Sequence, residues 1–64
     1  MNLVFYSTTD VFAAEEILQN NNIFTEIEPT PVQDKAYCGV CIHINHEDLN
    51  MARQILSSFE YKEV

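Results

Sequence analysis

Basic side chains are nearly missing from this chain of 64 residues: Lys35, Arg53 and Lys62 are the whole set, against 10 acidic residues and a net charge of −7. Binding to a phosphate backbone needs clustered Lys and Arg, so the balance excludes a nucleic-acid partner. It disfavours an anionic membrane surface for the same reason. No apolar run approaches the roughly 20 residues that span a bilayer. Residues 1–7 hold no Lys or Arg and too short an apolar stretch for a signal peptide, so a cytoplasmic home is expected. Glycine occurs once, at Gly39, which excludes a phosphate-cradling glycine loop. No Ser-His-acid pattern and no convincing carboxylate pair is present, and Glu15-Glu16 reads as a solvated helix face. The length leaves room for one domain over 1–64 and no large enzyme core. A domain this small buries only about 60% of its unfolded surface, so a partner subunit would help it.

What is present is ordinary globular material, 47% hydrophobic. Leu3-Val4-Phe5-Tyr6 suits a buried strand. Ser7 with Asp10 three residues on resembles a capping box and predicts a helix start. Val11, Ala14 and Leu18 then recur at helical spacing. Asn20, Asn21 and Asn22 end that helix, because Asn tolerates the left-handed conformation of a C-cap. Ile23, Thr25 and Ile27 alternate with Phe24, Glu26 and Glu28 as a second strand, which Pro29 and Pro31 stop. Val40, Ile42 and Ile44 give a third strand. Asn45 and Asp48 repeat the capping spacing and open a second helix with its stripe at Leu49, Ala52, Leu56 and Phe59. Residues 61–64 form a short closing strand.

The order β-α-β-β-α-β predicts an α+β fold, ferredoxin-like: a four-stranded antiparallel sheet, both helices on one face, first and third strands central. That topology brings the start of the first helix and the entrance to the third strand to one rim. Cys38 should therefore lie near Ser7, Thr8, Thr9 and Asp10. Amides at a helix N-terminus can stabilise a thiolate, and Gly39 would let a partner approach the sulfur. Lys35 is the nearest cation in sequence, but Asp34 and Asp10 oppose it. The competing reading of Cys38 is a small half-buried hydrophobe at a strand start.

Cys38, Cys41, His43 and His46 resemble a metal set, but an extended strand would hold Cys38 and His46 about 25 Å apart. No metal and no cofactor is expected. In a reducing compartment both cysteines should be free thiols. A thioredoxin-type dithiol fits poorly, because Cys-Gly-Val-Cys leads into a strand rather than a helix. Transient oxidation of the pair, as a redox sensor, is a further reading. With Leu3, Phe5, Ile23, Ile27, Val40, Ile42 and Ile44 as the core, the outward sheet face would carry Val4, Tyr6, Phe24, Cys41 and His43. On so small a chain such a face suggests a homodimer, or a non-catalytic module binding a small ligand there.

Phe5-Tyr6-Ser7-Thr8, Asp10, Ala14-Glu15, Ile23, Pro29-Thr30-Pro31 and Cys38-Gly39 resemble a family of small bacterial proteins described as selenium or sulfur carrier-like. Asp48-Leu49 and Ala52-x-x-Ile55-Leu56 fit as well, so the resemblance covers nearly the whole chain. It differs at Asn22, where the family usually has Gly, and at Cys41, where a small or apolar residue is usual. The resemblance implies that Cys38 carries the chalcogen as a persulfide or selenide, received from a sulfur or selenium donor protein. Such a chain works by a carried group rather than by turnover, and is not counted as an enzyme.

Overall fold

A computed structural model of the chain describes residues 1–31 and 35–64. The order is β1 (Asn2–Phe5), α1 (Thr8–Asn20), β2 (Thr25–Pro29), β3 (Val40–Ile44), α2 (Leu49–Ile55) and β4 (Tyr61–Glu63). The strands form one antiparallel sheet in the order β2-β3-β1-β4, with β1 and β3 in the centre.

Local chemistry sets the ends of α1. Ser7 is extended (φ −146°, ψ 151°), and its hydroxyl accepts the Asp10 N–H at 3.2 Å. This satisfies one of the donors that a helix start leaves open. At the other end Asn22 takes φ 62°. Its N–H donates to the Gln19 carbonyl and that of Ile23 to the Leu18 carbonyl, both at 3.0 Å. These are the paired bonds of a Schellman closure, with Ile23 and Leu18 as its buried apolar contact.

Val11, Ala14 and Leu18 of α1 and Leu49, Ala52 and Leu56 of the second helical segment share one buried cluster. Its sheet side is Leu3, Phe5, Ile42 and Ile44, alternate residues of the two central strands. Phe5 holds two further rings, Phe59 edge-on at 6.2 Å and Tyr61 at 5.5 Å. Fully burying one such side chain contributes about 1.5–3 kcal/mol, so a few of them decide whether this chain folds. Arg53 donates twice to the carboxylate of Glu63, at 2.7 and 2.8 Å, and ties α2 to β4.

Three expectations change. The second helix does not open on an Asn45 side-chain cap. Residues His46–Asp48 form a 3-10 turn in which the Asp48 N–H donates to the Asn45 carbonyl at 3.0 Å, and α2 starts only at Leu49. Backbone has taken the acceptor role that the spacing assigned to the side chain. Ile27 is 38% exposed, because β2 is an edge strand and the core stops short of it. On the opposite face Val4 and Cys41, cross-strand partners, are fully buried within the single chain. Phe24 lies before β2 and is 63% exposed.

Candidate functional site

Cys38 sits just before β3. Its N–H donates to the Phe5 carbonyl at 2.8 Å, which ties it to the end of β1. Its carbonyl accepts the Thr30 hydroxyl at 2.6 Å, and the Thr30 N–H donates to the Gly39 carbonyl at 3.0 Å. The backbone on either side of the sulfur is thereby fixed to the sheet rim.

α1 begins at that same rim. The Thr8 hydroxyl lies 3.2 Å from Cys38 Sγ. Cys38 is half-buried and packs against the hydrophobic core cluster, as the competing reading of a small hydrophobe at a strand start expects. Its pKa is held below that of an ordinary thiol. The Thr8 hydroxyl contributes most, followed by the Val40 N–H; burial works against them, and the Gly39 N–H adds to the lowering. The thiolate is therefore favoured by donated hydrogen bonds rather than by a cationic neighbour. When the sulfur is ionised, the Thr8 hydroxyl is the donor.

Of the set read from sequence, Thr8 bonds the sulfur, while Ser7 and Asp10 bond each other as the helix cap. Thr9 is exposed on the first turn. Gly39 is exposed, has no left-handed φ, and an added Cβ would meet nothing within 4 Å. The fold itself therefore does not require glycine there. Asp34 lies outside the described residues. Two features escaped sequence reasoning. Thr30 anchors the Cys38 carbonyl, and its signal was present as the one hydrogen-bonding residue between Pro29 and Pro31. Tyr37, the residue before Cys38, packs against Tyr6 with the ring centroids 5.1 Å apart.

Cys41 is a different kind of thiol. It is fully buried, and burial, with the Glu28 carboxylate second, pushes its pKa up. Its sulfur faces the Pro29 carbonyl at 3.7 Å. Both cysteines are free. His43 Nδ1 lies 2.8 Å from Asn2 Oδ1, and His46 belongs to the exposed 3-10 turn. Among the described residues no three His, Cys, Asp or Glu side chains are placed to hold a metal ion, and no helix is long and apolar enough to cross a membrane.

Fold and site together describe a small α+β protein with a half-buried thiol, bonded to the first turn of α1, at one rim of its sheet. The chain belongs to the family described as "Putative Se/S carrier protein-like", which matches residues 2–63. No curated protein and no solved structure matches it.

Proposed function

We propose that this protein accepts a sulfur or selenium atom on Cys38 and passes it on. The observation that carries the reading is the Thr8 hydroxyl 3.2 Å from the sulfur of a half-buried cysteine whose ionisation is eased. The Cys38 thiolate attacks the terminal sulfur of a donor persulfide. One S–S bond forms, the donor's S–S bond breaks, and the donor thiolate leaves. Cys38 then holds a persulfide, with no net oxidation. Attack on the carried atom by an acceptor thiolate reverses the same balance. With selenium as cargo the bond counts are unchanged.

Thr8, with the amides of Gly39 and Val40, stabilises the Cys38 thiolate of the empty state. Gly39 keeps a partner's backbone free to approach. The ferredoxin-like arrangement belongs to this reading too, supported by the central positions of β1 and β3. The alternative, a dimer or ligand site on the outward sheet face, draws less support, because Val4 and Cys41 at its centre are already buried.

The test is mass spectrometry after incubation with a cysteine desulfurase and cysteine. A gain of one sulfur atom is expected in the native chain and absent in Cys38→Ser. No gain, or a gain that survives the substitution, overturns the proposal.

A further inference from the structure

Thr30 makes two bonds to the segment that carries the thiol. Its hydroxyl donates to the Cys38 carbonyl at 2.6 Å, and its N–H donates to the Gly39 carbonyl at 3.0 Å. Those carbonyls belong to consecutive peptide units, the one joining Cys38 to Gly39 and the one joining Gly39 to Val40. Both units are trans, so each carbonyl points away from the N–H that follows it. Holding the Cys38 carbonyl therefore aims the Gly39 N–H, and holding the Gly39 carbonyl aims the Val40 N–H. These are the two amides that act on the Cys38 sulfur.

The local sequence prepares Thr30 for this part. It stands between Pro29 and Pro31, and a residue that precedes proline is confined to extended backbone. The ladder of β2 and β3 pairs Pro29 with Val40, and the Thr30 N–H adds the next rung. The hydroxyl supplies a further bond that no ladder provides, and it is partly buried. Among the described residues, the groups that ease ionisation of Cys38 are neutral donors, the Thr8 hydroxyl and the two amides. Successive amides of this kind form an anion-binding concavity, and a dipole helps an anion only when it points at it.

We infer that Thr30 is a positioning residue for the Cys38 site, gripping two successive carbonyls so that the amides behind them converge on the sulfur. Thr8 acts on the sulfur directly, and Thr30 acts through the backbone. The inference rests on the carrier reading for the use to which the thiolate is put. It adds what keeps the receiving atom's surroundings in place before a donor arrives.

The test is titration of Cys38 with no donor present, by pH-dependent alkylation with iodoacetamide read at Cys38 by peptide mass, together with amide proton shifts. In the native chain the Gly39 and Val40 amide protons should move with the Cys38 midpoint. Thr30→Val, which keeps the branched shape, should raise that midpoint by about 0.3–0.5 pH. This is a thiolate population about two- to threefold smaller below both midpoints, less than the loss of a direct bond would give. Thr30→Ser should keep the native midpoint, and the effect of Thr30→Val should persist in a Thr8→Val background. Native amides that ignore the titration overturn the inference, and that result needs no variant to fold. So does a Thr30→Val chain that loses stability at an unchanged midpoint, a Thr30→Ser midpoint as high as that of Thr30→Val, or an effect that vanishes without the Thr8 hydroxyl. Sulfur loading is no part of the measurement. A native chain that gains no sulfur sinks the carrier reading alone, and amides that ignore the thiol sink the positioning role alone.

Discussion

Replacing Thr8 by Val removes the hydroxyl beside the sulfur and keeps the branched shape of the side chain. The hydroxyl is the largest contributor to the eased ionisation of Cys38. One net hydrogen bond contributes about 1 kcal/mol, and losing it from the ionised form alone cuts the thiolate population about fivefold below both titration midpoints. A more basic thiolate is also a better nucleophile, with a Brønsted slope of about 0.4–0.5, which returns about a factor of two. Thr8→Val should therefore react about two- to threefold more slowly with a small aromatic disulfide at mildly acidic pH. Well above the ordinary thiol pKa of ~8.5 both proteins are fully ionised, and the variant should be about twofold faster. The two pH–rate profiles cross. Thr8→Ser should restore the native profile. Cys41, buried and harder to ionise, reacts in a separate slow phase. Superimposable profiles, or a uniform change at every pH with the fold intact by circular dichroism, would refute the assignment of Thr8 as the thiolate's donor.

Three more outcomes are expected. Asn22→Gly should raise unfolding stability by about 0.5–1 kcal/mol in a urea titration, because the left-handed φ of 62° costs glycine nothing, and Asn22→Ala should lower it by about 1 kcal/mol. Gly39→Ala should leave the fold intact or stabilise it by about 0.4–1 kcal/mol, since its Cβ meets no atom, while slowing loading from a protein donor; a loss of more than 1 kcal/mol would show a structural need for glycine. The Arg53 guanidinium holds the Glu63 carboxyl below its usual range, so the pair's contribution is present above the ordinary carboxylate pKa of ~4.3 and fades as pH falls through the lowered value. Glu63→Gln should flatten that acid limb of a stability–pH curve, and an unchanged limb would show that the pair contributes nothing.

Much of this arrangement could be read from particular residues. Ser7 and Asp10 announced the start of α1, and the run of asparagines its end, because caps depend on chemistry within a few positions. The alternation through Val40, Ile42 and Ile44 fixed a strand and its inner face. Other features needed the third dimension. Period two assigns Ile27 to a face but cannot say whether a helix reaches far enough to cover it. The spacing of Asn45 and Asp48 matches a cap, yet the backbone carbonyl was the better placed acceptor. Near the thiol, topology brought Cys38 to the first helical turn, but only coordinates distinguish Thr8 from Thr9. The anchors at Phe5 and Thr30 are distant in sequence from Cys38, and no local pattern encodes them.

Because the main chain of Cys38 is clamped before and after the side chain, the sulfur has a single torsion to turn about. Long flexible arms ferry their load between distant stations; if Cys38 carries sulfur or selenium as proposed, it does so as a post, and its load sweeps a short arc. On that proposal, donor and acceptor would have to come to the same spot by turns, and their two footprints should overlap so heavily that neither can stay seated while the other arrives.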